Sequence, residues 1–155
     1  MKPPGKPPMN RPARFNRSAF KLFRPLATRW IDNDAYGHVN NVHYYSYFDT
    51  AVNSWLVEEG LLRIGESPVI GLVVESGCTY FESVAFPESL EAGIAVAHLG
   101  RSSVRYRIGI FKAGADRAAA QGHFVHVHVD RMTRQPVDLP PETRAALSAL
   151  ISDDR

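Results

Sequence analysis

At 155 residues the chain is long enough for one domain with a real core, and 45% hydrophobic with 22% charged residues is ordinary for a globular protein. A formal net charge of +2 is too weak to argue for a nucleic-acid partner, although it permits an anionic ligand. The single cysteine, Cys78, excludes an internal disulfide and fits a reducing, cytoplasmic setting, and no apolar run approaches the ~18 residues of a membrane span.

Residues 1–18 stand apart. They hold Pro3, Pro4, Pro7, Pro8 and Pro12, five Lys or Arg and no acid, which predicts a disordered basic tail. They lack the apolar centre of a secretory signal, and their proline density argues against a transit peptide. The folded domain is expected over 19–155. Phe20 to Trp30 reads as a first strand, with Phe20 and Leu22 and then Leu26, Thr28 and Trp30 on alternate positions. Pro25 marks it as an edge or a bulge. Asp32 to Asn40 is a polar run. From Asn41 the period changes: Val42, Tyr45, Phe48, Val52, Trp55 and Leu56 recur at three- and four-residue steps, which predicts an amphipathic helix of roughly five turns. Asn40 or Asn41 suits its N-cap, and Gly60 its stop.

Strand signals follow. They cover Val69–Glu82, Ser89–Leu99, Val104–Ile110 and, after the turn Ala113–Asp116, a last strand over Arg117–Asp130. In that last strand Val125, Val127 and Val129 share one face, expected to be the core side. Phe124, His126, His128 and Asp130 share the other, expected to face outward. A short helix, Glu142–Ile151, opens behind Pro140 and Pro141. This order predicts an α+β layer, an antiparallel sheet of roughly five to six strands wrapped on one long helix. The uncovered sheet edge predicts pairing with a second copy, as a homodimer or homotetramer.

The stretch Asp32–Tyr45, DNDAYGHVNNVHYY, concentrates the chemistry. A carboxylate just ahead of a helix start places a base or nucleophile beside free N–H groups and a partial positive charge. With the order of elements, its DxDxxGHVNN pattern resembles the hotdog-fold acyl-CoA thioesterases of the 4-hydroxybenzoyl-CoA thioesterase type, over roughly Phe20 to Leu147. The HVNN portion is also similar to acyl-carrier-protein thioesterases. The resemblance implies a catalytic aspartate at Asp34, an oxyanion-binding N–H at the helix start near Asn41, and polar roles for His38 and Asn40. That carrier-protein branch has asparagine where this chain has Tyr36, so an aspartate-only mechanism is expected, with His38 secondary. Gly100–Arg101–Ser102–Ser103 resembles the family's turn before the fourth strand.

A thioester carbonyl is electrophilic, and its thiol leaving group has a pKa near ~8.5, so no strong general acid is required. One carboxylate to attack or to activate water, and helix N–H donors for the oxyanion, suffice. Gly37 lets the backbone turn tightly between them. Further candidates for substrate contact are Tyr45 at an acyl pocket, Glu75 as a replacement carboxylate, Ser102 and Ser103 at pantetheine, and Arg101 at nucleotide phosphates. Each has a plainer account: core packing, a cap, or a solvated face. Asp32 is expected to make a structural Asx turn. His126 and His128 invite a metal, but no further ligand cluster accompanies them, and neither metal nor cofactor is expected. Cys78 is expected to be a small core residue. The expected activity is acyl-CoA hydrolysis without nucleic-acid or membrane partners. A hotdog hydratase or dehydratase, whose aspartate and histidine usually stand further apart than Asp34 and His38, and a non-catalytic acyl-binding module remain alternatives.

Overall fold

The computed structural model describes residues 12–152. Five strands, β1 (Leu22–Ala27), β2 (Val69–Tyr80), β3 (Ser89–Leu99), β4 (Ser103–Lys112) and β5 (Ala120–Asp130), form one sheet in the order β1-β3-β4-β5-β2, antiparallel throughout. The long helix α1 (Val42–Glu58) packs on one face, and a short helix α2 (Pro141–Ser148) follows β5. This is the hotdog arrangement, of α+β class. Pro25 sits in β1, a sheet edge, the kind of strand in which a residue without an N–H is tolerated.

The ends of α1 follow from local chemistry. At its start the Asn40 side-chain oxygen accepts the Val42 N–H at 3.2 Å. At its end Gly60 takes φ +72°, the Gly60 N–H reaches the Val57 carbonyl at 3.1 Å, and the Leu61 N–H reaches the Leu56 carbonyl at 2.9 Å. Those paired bonds are a Schellman stop, which needs the left-handed residue that glycine supplies.

Three expectations are corrected. The buried face of α1 is Tyr44, Tyr47, Phe48, Ala51, Val52, Trp55 and Leu56, whereas Val42 is 60% exposed and Tyr45 half-exposed. Apolar residues stand nearly all round the first turns, so spacing alone does not select the seam. In β5 the two faces are as expected but their sense is reversed. His126 and His128 are buried toward α1, while Val125 and Val127 are half-buried on the far face. Phe124 decides this, because its ring meets Phe48 of α1 at 6.4 Å and the strand's period of two carries both histidines inward with it. The first strand stops at Ala27, and Trp30 belongs to a 3-10 turn, Trp30–Asp32, with its ring 80% exposed.

Residues 1–11 of the expected tail lie outside the described residues. Residues 12–18 do bury surface. Phe15 joins Phe20, Phe23 and Phe111 in an aromatic cluster on the sheet face opposite α1, and the Arg17 guanidinium lies 4.5 Å above the Phe23 ring. Phe20 can settle there because Gly93 and Gly109 face each other across β3 and β4. A Cβ on either would come within 3.0 Å of its ring.

Candidate active site

The connection from β1 to α1 is a loop closed by its own backbone bonds. The Asn40 N–H bonds the Asp32 carbonyl at 2.9 Å, the Asp34 N–H bonds the His38 carbonyl at 2.9 Å, and Asn33 and Val39 form an antiparallel bridge between them. The result is a miniature hairpin whose tip turns at Gly37, φ +84°. Two bonds moor it to the β2–β3 connection: Val39 N–H to the Val84 carbonyl at 2.8 Å, and Phe86 N–H to the Asn33 side-chain oxygen at 2.9 Å.

Asp34 stands on this hairpin with its side chain 18% exposed. One carboxylate oxygen accepts the Tyr36 N–H at 2.8 Å, and the other lies 3.9 Å from His38 Nδ1. The first contact is an Asx turn; it fixes the carboxyl group and leaves the second oxygen the freer of the two. Asp34, His38 and Asn41 share the wall of one cavity of about 310 Å³. The loop and the start of α1 form one side. Tyr80, Phe81, Glu82 and Ser83, at the end of β2, form the other, with Tyr44 also in the wall. Among the described residues no backbone acceptor takes the Asn41 N–H.

Burial and pairing set the protonation of several groups near Asp34 and His38. Burial pushes the Tyr44 hydroxyl up to about 12 and, first among several causes, raises that of Tyr80, so both stay protonated at neutral pH. Their rings meet edge-on at 5.0 Å, and the Tyr80 hydroxyl reaches the Asn41 carbonyl at 3.5 Å. Glu82 is occupied on both sides, by Lys112 Nζ at 2.9 Å and Arg14 at 2.9 Å, and the Lys112 hydrogen bond leads the causes that hold its carboxyl below the usual range. Burial pushes the Cys78 thiol up to about 11; the side chain is only partly buried against the core expected to hold it, and a thiol so raised does not suit a nucleophile.

Asp32 is structural but makes no Asx turn. It is fully buried, and its carboxylate accepts the Arg29 N–H at 2.9 Å, the Tyr47 hydroxyl at 2.7 Å and the Arg29 guanidinium at 2.9–3.0 Å. Burial works to raise its pKa, yet the hydrogen bonds from Tyr47 and Arg29 prevail and hold it below the usual 3.8.

A family model described as the thioesterase-like superfamily matches residues 28–147, which take in this loop, all of α1 and four of the strands. The chain belongs to the thioesterase-like superfamily. A solved structure of the PA5185 protein from Pseudomonas aeruginosa is 52% identical, with a TM-score of 0.89 over 92% of this chain and 100% of that one. Slr0204 from Synechocystis, a 1,4-dihydroxy-2-naphthoyl-CoA thioesterase, matches at TM-score 0.73 over 83% of this chain and 96% of its own; at 18% identity it shows the fold alone. The protein YsmA of Bacillus subtilis is 24% identical over 88 residues, 57% of this chain and 59% of that protein, so the match spans little more than half of that relative's length.

In this thioesterase-like chain the other sequence candidates are spread out. Gly37 and Asn40 shape the loop and the helix start without entering the cavity wall. Tyr45 packs its ring at 6.0 Å from Phe48, and its neighbour Tyr44 is the tyrosine of α1 that lines the cavity. Glu75 lies on the sheet face away from α1, 3.0 Å from His123 and 3.6 Å from Arg105. Arg101 pairs with Asp138, and the Ser102 and Ser103 carbonyls accept the N–H groups of His128 and Gly100. That turn is a full length of β3 from the cavity, at about 3.3 Å per residue. His126 and His128 stand with ring centroids 6.4 Å apart, and Asp130 is turned to the Met132 and Thr133 N–H groups, so the three do not converge. Tyr80, Glu82 and Ser83 went unselected. Their approach to Asp34 depends on the β2–β3 connection folding over the hairpin, which no local pattern announces.

Proposed function

We propose that this protein hydrolyses acyl-CoA thioesters to a free acid and CoA, with Asp34 as nucleophile or general base and the N–H at the start of α1 as oxyanion donor. The observation that carries this reading is the shared cavity. It sets a carboxylate, held by a short hairpin, beside a helix N-terminus whose Asn41 N–H has no backbone acceptor among the described residues. One such donor typically lowers the barrier by about 3 kcal/mol, and the thiolate leaving group needs no strong acid. His38, 3.9 Å from Asp34, takes a secondary role in orienting water or substrate. Membership of the thioesterase-like superfamily supports the reaction class.

The protein acts as a homodimer or higher oligomer through β2. This edge strand exposes Val73 (47%) and Val74 (61%) and presents unpaired backbone groups, which a second copy would satisfy.

The test is release of free thiol from a panel of aliphatic and aromatic acyl-CoAs, followed with Ellman's reagent. Turnover that falls at least about 100-fold in Asp34→Ala supports the reading. Loss of crotonyl-CoA absorbance without free thiol would assign a hydratase instead, and no reaction on any member would leave an acyl-binding module.

A further inference from the structure

Asp32 spends a buried charge where a packed apolar side chain would serve the core as well. Burying a carboxylate is unfavourable by several kcal/mol unless every lone pair finds a partner, and replacing such a group by apolar packing is often neutral or stabilising. Its partners here fall on two bodies that carry the two halves of the candidate chemistry. The backbone carbonyl of Asp32 closes the base of the Asp34 hairpin through the Asn40 N–H at 2.9 Å. Its carboxylate takes the Tyr47 hydroxyl at 2.7 Å, and Tyr47 lies on the buried face of α1, the helix whose first residues follow Asn41. On the other side it holds Arg29, through backbone and guanidinium, where β1 runs into the loop. His43 Nδ1, on the first turn of α1, lies 3.7 Å away. The Asn40–Asn41 joint between hairpin and helix is therefore spanned by one residue, its backbone carbonyl bonded to the hairpin base and its carboxylate to the helix.

We infer that Asp32 is a positioning residue: it sets the distance between Asp34 and the N–H groups opening α1 by bridging hairpin base and helix through Asn40 and Tyr47. The inference rests on the thioesterase reading and deepens it. Misplacement by about 1 Å at a reacting centre can lower a rate 100-fold while binding is little changed, because the remote parts of the substrate are still held. Asp32 touches no substrate and acts only through its two neighbours.

The experiment compares wild type, Asp34→Ala, Asp32→Asn, Tyr47→Phe and the double variant Asp32→Asn/Tyr47→Phe. All are assayed on the acyl-CoA turned over best, at a temperature where each is fully folded by circular dichroism. Wild-type turnover abolished in Asp34→Ala secures the underlying reading; without it the thioesterase assignment fails first and on its own. Given that result, Asp32→Asn is expected to lower kcat at least tenfold with KM within about twofold. Tyr47→Phe is expected to lower kcat severalfold in the same sense, and the double variant to fall no further than Asp32→Asn. A lowered Tm with kcat unchanged in Asp32→Asn would mean that the residue only stabilises the fold and would overturn the proposal. If Asp32→Asn does not fold, Tyr47→Phe decides: a kcat equal to wild type overturns the proposal, and a severalfold loss at constant KM upholds it.

Discussion

Gly37 turns the tip of the Asp34 hairpin at φ +84°, and nothing lies within 4 Å of the place its Cβ would occupy. Substitution there is limited by backbone conformation and not by space. Gly37→Ala should lower stability by about 1 kcal/mol, the usual penalty for a left-handed L-residue. The larger effect is local. The Gly37 N–H bonds the Asp34 carbonyl at 3.1 Å, and the preceding Tyr36 N–H bonds the Asp34 carboxylate, so a strained tip disturbs both. Kinetics on the acyl-CoA panel should show kcat down severalfold beside a Tm loss of only a few degrees; an unchanged kcat would separate the tip from the chemistry. Much of this was legible in the sequence, because Asp34, Gly37 and the two asparagines act within a few residues of one another. The partners of Asp32 were not. Tyr47 is 15 positions away, and nothing in the local pattern distinguishes a tyrosine that bonds a buried carboxylate from one that fills the core.

β2, β3, β4 and α1 fall close to their expected limits because punctuation sets them: asparagine at the helix start, glycine at its end, turns between strands. Which face turns inward is a different matter, since a strand's alternation gives two faces without ranking them. In β5 valine, which suits any half-buried pleated surface, holds the outer positions, and histidine holds the inner ones. The contact that ranks them is between elements: Phe124 and Gly122 lie under Phe48 of α1. At Gly122 the sheet leaves no room for a side chain beneath the helix. A Cβ there would lie 2.0 Å from the Gly77 carbonyl oxygen of β2 and 2.8 Å from the Phe48 ring. The carbonyl belongs to a paired strand and cannot swing aside. Gly122→Ala should therefore destabilise by about 3 kcal/mol or more, visible as a lower denaturation midpoint or loss of soluble protein. Gly71→Ala should be milder, because its closest contact, His126 Nδ1 at 2.8 Å, is a side-chain atom and lies farther off than the 2.0 Å backbone oxygen at Gly122. Equal losses at the two positions would contradict this account of the packing.

For the whole molecule, one long helix among consecutive short-turned strands left a single layer architecture open, so the fold class was legible in the order of elements. The aromatic cluster recruited from residues 12–18 was not, since a proline-rich basic composition masks Phe15. Nor was the polar content of the core, which predicts how the protein responds to acid. His126 is 1% exposed, its ring 5.6 Å from Tyr106 and 6.4 Å from His128, and burial first, with the neighbouring His128 second, brings its pKa down from 6.5 to about 4. Burial also lowers the pKa of His128. A histidine depressed in the folded state takes up its proton more readily when unfolded. Its contribution to stability is complete above pH 6.5, declines as pH falls from 6.5 toward 4, and is exhausted below 4, where both states are protonated. For His126 the loss across that window is about 3 kcal/mol at most. Denaturant unfolding between pH 7.5 and 5, above the range where carboxylates titrate, should show stability dropping steadily with acid in the wild type. In His126→Gln, which carries no titrating group at this position, the slope should be clearly shallower, with the residue left by His128. Parallel pH profiles for the two proteins would show that the buried ring does not control acid stability.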